Sequence, residues 1–171
     1  DLRRIDDEDI EKALMAKRGL DAGNAHRITR IANGNWLKAK EMLDASNENN
    51  QFLDMFIMLM RMAYARNTKG MKKWTDTVSA FGREKQRRML KYFSLQVREN
   101  FMTNFGNPQL TYQTEEEETF SKNFARFINE ANVIDINDLL QKARRDIGQN
   151  ANARIVFFDL ALQMIVLLIR K

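Results

Sequence analysis

A chain with one proline and seven glycines among 171 residues has little with which to make hairpins. Strand-rich folds need frequent turns, and turns draw on Gly, Pro, Asn and Asp at set positions. What this chain has in plenty is Leu, Met, Ala, Lys, Arg, Glu and Gln, all good helix formers. An all-α fold is the expectation. The length suits one large helical domain, or a medium domain plus a small one, and buries enough surface, roughly 70% of the unfolded total, to need no covalent staple. There are no cysteines. That excludes disulfides, thiolate zinc sites and cysteine nucleophiles, and it fits a reducing compartment.

Periodicity places the helices. Asp6 or Asp7 can cap a first helix carrying Ile10, Ala13 and Leu14, with Gly19 as its stop. Asp21 can cap a second that ends at Gly34, and a third runs from about Trp36 to Ala45. Ser46-Asn-Glu-Asn-Asn50 is polar without an apolar anchor and reads as a linker between domains. Phe52, Met55, Phe56, Leu59, Met62 and Ala63 then mark a helix to about Arg66. Five of the ten methionines lie between 55 and 71. They could form an adaptable groove, but the stripe they contribute to has the 3.6 period of a helix core. Trp74, Val78 and Phe81 share one side of a helix over 71–81. Met89, Leu90, Phe93, Val97 and Phe101 do so over 85–104.

Gly106-Asn-Pro108 closes that element, and the chain is expected as loop to Thr114. Thr114-Glu-Glu-Glu117 has the T-x-x-E pattern of a capping box. Glu115–Glu118 could be read as paired carboxylates or metal ligands, but a first helical turn attracts negative charge without any ligand. Phe120, Phe124, Phe127 and Ile128 form the next inner stripe. Asp135 is the expected cap of a helix with Leu139, Leu140, Ala143 and Ile147 inward and Gly148 at its end. The last helix follows Asn150-Ala-Asn152. Its stretch Ile155–Ile169 is apolar on nearly every face and interrupted by Asp159 and Gln163. It falls short of the roughly 20 apolar residues of a membrane span, so it belongs in a core or against another subunit.

Residues 25–43 read as two short helices broken at Gly34-Asn35, with Ile28, Ile31 and Ala32 on one stripe and Ala39, Met42 and Leu43 on another. Gly34 is explained locally by a helix end that needs positive φ. The segment also resembles the lid of AAA+ clamp-loader subunits, which carry a Gly-(Ser/Asn)-x-Arg-x-Ala-like step. Gly34, Asn35 and Ala39 match, and Leu37 stands where the phosphate-sensing arginine would be. Two further segments extend the likeness. Residues 82–101 (Gly-Arg-Glu-Lys-Gln…Leu-Lys-Tyr-Phe…Arg-Glu-Asn-Phe) look like the "(R)E-x-Q…L-x-Y…R-E" helix of the delta-prime family in the bacterial DNA polymerase III clamp loader. Residues 147–160 (Ile-Gly-Gln-Asn-Ala-Asn…Phe-Asp-Leu) look like the "I-x-x-N-x-N…L-x-x-L" terminal helix of the clamp-loader collar. The three occur in the family's order, and together they span nearly the whole chain.

The resemblance implies a small three-helix AAA+-type lid at 1–45, a linker at 46–50 and a collar bundle of five to six helices at 51–171. It implies a cytoplasmic, bacterial stator subunit of DNA replication. Such a subunit joins delta and the motor (gamma/tau) subunits through its collar and helps load the sliding clamp on primed DNA. Leu37 argues against nucleotide use, and the chain, which begins at Asp1, lacks the family's ATPase-like core. On the last helix, Phe158, Leu162, Ile165 and Ile169 are the candidate subunit interface.

Charge supplies the rival reading. Eleven basic side chains face three acidic ones between 61 and 99, a net of +8 in a chain of net +5. Lys72, Lys73, Arg83, Arg87 and Arg88 are the candidates for phosphate or acidic-partner contacts, with salt-dependent affinity. Tyr64, Trp74, Phe81, Tyr92 and Phe93 could stack on bases if exposed. That describes a stand-alone helical nucleic-acid-binding domain. An enzyme is the least supported class: the chain has no P-loop, no H-E-x-x-H and no G-x-S-x-G, and its sole histidine is His26. No cofactor, metal or small-molecule substrate is expected.

Overall fold

The computed structural model describes residues 36–104 and 113–170. Among these are six α-helices, one 3₁₀ turn and no strand, so the fold is all-α. The helices are α1 (Trp36–Ala65), α2 (Thr68–Ser79), α3 (Arg83–Thr103), α4 (Glu115–Phe124), α5 (Val133–Gly148) and α6 (Ala153–Leu168), with the 3₁₀ turn at Ala125–Phe127. The chain divides into two compact units, Asp1–Asn50 and Gln51–Lys171. The features expected at Asp6, Asp7, Gly19, Asp21, His26, Gly34 and Gly106-Asn-Pro108 lie outside the described residues.

The boundary between the two units falls at the end of the segment expected as a linker, 46–50, but the expected interruption of the helix there is absent. α1 runs unbroken through Ser46–Asn50, joining the two helices read from the sequence. Ser and Asn disfavour a helix by only about 0.5 kcal/mol each relative to Ala. No Gly or Pro interrupts the segment, so the helix already formed on either side propagates through it. In the first unit Ala39 and Leu43 are buried and Leu37 is exposed.

The second unit is built around Trp74. Its ring lies 6.5 Å from Phe93 of α3 and 6.0 Å from Phe157 of α6, and its Nε1 donates to the Met55 carbonyl of α1 at 3.0 Å. Phe56 extends the cluster, with its ring 5.3 Å from Phe93 and 5.9 Å from Phe120 of α4. One side chain thus ties α1, α2, α3 and α6 together. α3 packs along α5, α2 along α6, and α5 along α6. The stripes expected from periodicity are the core: Phe52, Phe56, Leu59 and Ala63 of α1, Val97 of α3, and Leu140, Ala143 and Ile147 of α5 are all buried.

The short connections follow from capping chemistry. α1 ends in a Schellman motif: the Asn67 N–H donates to Met62 and the Arg66 N–H to Ala63, with Arg66 at φ 55°. Asn67 then caps α2, accepting from the Gly70 N–H at 2.9 Å. Between α5 and α6 the same device recurs. The Ala151 N–H donates to Asp146 and the Asn150 N–H to Ile147, Asn150 sits at φ 65°, and Asn152 caps α6. Gly148 is the last residue of α5, but the left-handed position belongs to Asn150. Asp135 is not the cap of α5; that position is Asn132, and Asp135 lies in the first turn. The expected stripe Phe120–Ile128 bends, because α4 gives way to the 3₁₀ turn after Phe124.

Candidate functional site

α6 is packed on its inner side and contacted at both ends. Phe157, Leu160, Ala161, Met164, Leu167 and Leu168 are buried. At its start, Arg154 lies 3.8 Å from Asp76 of α2. At its finish the last carbonyls, which a helix cannot satisfy internally, find side-chain donors. Asn132 Nδ2 reaches the Leu167 carbonyl at 3.0 Å, and Asn129 Nδ2 reaches that of Arg170 at 2.8 Å. Arg170 also pairs with Asp135. Asn132 is fully buried, its amide also donating to the Phe127 carbonyl and its oxygen accepting from the Asn129 N–H.

The outer side of this helix is open and carries four apolar side chains, interrupted by exposed Asp159 and its hydrogen-bonded neighbour Gln163. Ile155 is 70% exposed, Val166 and Ile169 are 55% exposed, and Leu162 is 37% exposed. Residues 155, 162 and 169 recur every seven positions, with 166 one turn beyond 162, so they form a single stripe. Of the four residues expected at a subunit interface, Leu162 and Ile169 lie on this stripe. Phe158 and Ile165 are half-buried and packed against the core at its margin. Ile155 and Val166 were not anticipated. The seven-residue spacing from Leu162 pointed to the first, and the helical i+4 neighbour to the second.

Lys72 and Lys73 are exposed on α2. Arg83 opens α3 and, with Arg154, Asn150 and Asn152, lines a concavity of about 550 Å³ at the corner where α2 meets α3. Arg87 lies 3.9 Å from Glu84, and its Nε packs against Gly148, where an added Cβ would be 3.4 Å away. Arg88 is exposed on α3. Of the five aromatic residues in this stretch, Trp74, Tyr92 and Phe93 are buried. Phe81 is half-buried beneath Lys85, whose Nζ sits 4.5 Å from the ring centre. Tyr64 alone of the five is exposed, its ring 5.0 Å from Phe127.

The acidic run is helix-start chemistry. Glu117 completes the capping box with Thr114 and turns inward, where its Oε2 accepts from the Tyr92 hydroxyl at 2.6 Å and from Gln96 Nε2. Its Oε1 accepts from the Thr114 N–H at 2.8 Å. Burial, the hydrogen bond to Glu117 and the negative charges of Glu117 and Asp54 hold the Tyr92 phenol far above its ordinary range. The carboxylate is surrounded by donors that fix it in place, which suits a structural role.

Two markers behind the resemblance also gain local explanations. Gln86 is buried, and its Nε2 donates to the Val78 and Ser79 carbonyls, closing the end of α2. Asn150 and Asn152 are the end of one helix and the cap of the next. Among the described residues no helix is long and apolar enough to cross a membrane. No protein-family model, curated protein or solved structure matches the chain.

Proposed function

We propose that this chain is a non-catalytic assembly module, and that it is the lid and collar part of a delta-prime-type stator in a bacterial DNA polymerase III clamp loader. The observation that carries the assembly reading is the set of exposed apolar side chains Ile155, Leu162, Val166 and Ile169 on the outer side of α6, whose end is tied down by Asn132. Side chains carried on an already folded helix need little backbone ordering on docking, and exposed apolar side chains clustered on one face mark an interaction surface. The clamp-loader assignment is supported by the three ordered segments, 25–43, 82–101 and 147–160, and by Leu37 in place of a phosphate-sensing arginine.

Nucleic-acid binding through 61–99 has less support. Stacking needs exposed rings, and only Tyr64 of the five offers one. The test is light scattering on a size-exclusion column, with the chain mixed with delta and motor subunits from the same organism. A stable hetero-oligomer that Leu162→Glu with Val166→Glu abolishes is the expected result. A chain that elutes alone in every mixture overturns the assignment.

A further inference from the structure

α3 and α5 pack antiparallel: Arg87, near the start of α3, meets Gly148 at the end of α5. At the other end of this pair lies a groove of about 490 Å³. Leu95 and Ile134 stand in it, 48% and 69% exposed, above Val97 and Val133. Lys91 and Arg98 flank them from α3. The spacing from 91 through 95 to 98 is that of one helical face. Among the described residues no carboxylate pairs with Lys91 or Arg98, and none lines the groove. Two open apolar side chains therefore lie between two cations about 10 Å apart along α3, at a rise of roughly 1.5 Å per residue.

We infer that this groove docks an acidic amphipathic helix from a partner protein. The helix would carry carboxylates at i and i+7 and apolar residues at i+3 and i+4. Charge complementarity selects the partner. The carboxylates reach Lys91 and Arg98, while the apolar pair covers Leu95 and Ile134. The seven-residue separation of Lys91 and Arg98 sets the matching separation on the docked helix. Nucleic acid fits less well. The groove has one ring, the half-buried Phe101, among mostly aliphatic side chains, its two most open residues are Leu95 and Ile134, and two cations make a short phosphate track. The site is separate from the α6 stripe: none of the groove's lining residues belongs to α6.

The test uses the whole chain and a fluorescein-labelled helical peptide with Glu at i and i+7 and Leu at i+3 and i+4. Two controls are its Lys-for-Glu counterpart and an oligo(dT). Polarisation is read at low and high salt, and methyl spectra are recorded in parallel. The Glu peptide should bind with shifts confined to the Leu95, Val97, Val133 and Ile134 methyls. Lys91→Glu with Arg98→Glu, and separately Leu95→Asn with Ile134→Asn, should each weaken it about tenfold. All four positions face the groove, and unchanged melting of the variants verifies that the fold is kept. The inference is overturned if the Lys peptide binds as well, if the Glu peptide fails to bind, or if the shifts fall elsewhere. It is also overturned if oligo(dT) binds more tightly, in a manner sensitive to the charge reversals and indifferent to the Leu95 and Ile134 substitutions.

Discussion

Tyr92→Phe isolates the buried contact between α3 and α4. The substitution keeps the ring that packs 5.9 Å from Phe52 and removes the hydroxyl that donates to Glu117 at 2.6 Å. A hydrogen bond to a charged acceptor contributes about 1.5–3 kcal/mol. Glu117 keeps its other two donors, Gln96 and the Thr114 N–H, so the carboxylate is weakened and not orphaned. Denaturant unfolding at neutral pH should show a loss in that range with an unchanged m-value.

Alkaline pH adds a second signature. The folded-state pKa of Tyr92 is raised above its unfolded value of about 10. Below pH 10 both states hold the proton, and the contribution to stability is complete. Above pH 10 the unfolded chain releases the proton while the folded one retains it. Unfolding is then favoured by about 1.4 kcal/mol per pH unit. Tyr92→Phe lacks this term, whereas the lysines titrate alike in both proteins. The stability gap between wild type and variant should therefore be constant from pH 7 to pH 9 and close between roughly pH 10 and 12. A gap that stays constant to pH 12 would show that Tyr92 ionises normally in the folded protein, refuting the buried-network reasoning.

Gly82, at φ 82° and ψ 156° with open space where a Cβ would stand, occupies a region almost exclusive to glycine. Gly82→Ala should cost about 1–3 kcal/mol in chemical denaturation, and Gly82→Asn should not recover it. Arg66 occupies the ordinary left-handed region, so Arg66→Gly should leave stability level or raise it by up to about 1 kcal/mol; a clear loss would rule out αL strain there. Asn132→Ala strips donors from the buried Leu167 and Phe127 carbonyls and should cost about 2–4 kcal/mol, with hydrogen exchange rising first at the end of α6. Leu162→Glu with Val166→Glu should change monomer stability by about 0.5 kcal/mol or less per site while abolishing assembly, and a large fall in Tm would place these residues in the core.

The sequence made the fold legible where one interaction dominates. The Thr114–Glu117 box and the stripe of Phe52, Phe56, Leu59 and Ala63 depend on spacing within one helix, and both are found. Contacts between helices were hidden. Nothing local in Asn132 tells that its amide serves carbonyls 5 and 35 residues away. Tyr92 shares a charged helix with Lys91, so only the packing of α4 on α3 shows that it is buried. The helix through Ser46–Asn50 was missed because polarity is a weak helix breaker, unlike Pro or backbone strain. The outer stripe of α6 was half legible: the helix is apolar on nearly every face, and only Asp159 and Gln163 mark the side its neighbours leave open.

Two kinds of side chain are thereby distinguished in one chain. Gln86, Asn150 and Asn152 mark the resemblance, yet each satisfies backbone groups at a helix end, as a compact helical fold requires of any sequence. Their loss should lower stability and leave the affinity of correctly folded molecules unchanged. Ile155, Leu162, Val166 and Ile169 keep between 37% and 70% of their surface open and lie outside the buried core. Their loss should leave stability unchanged and remove association. A partner's effect on melting distinguishes the two sets: ligand-linked stabilisation, RT ln(1 + [L]/Kd), should survive capping substitutions mild enough to leave the chain folded, and should vanish with the stripe.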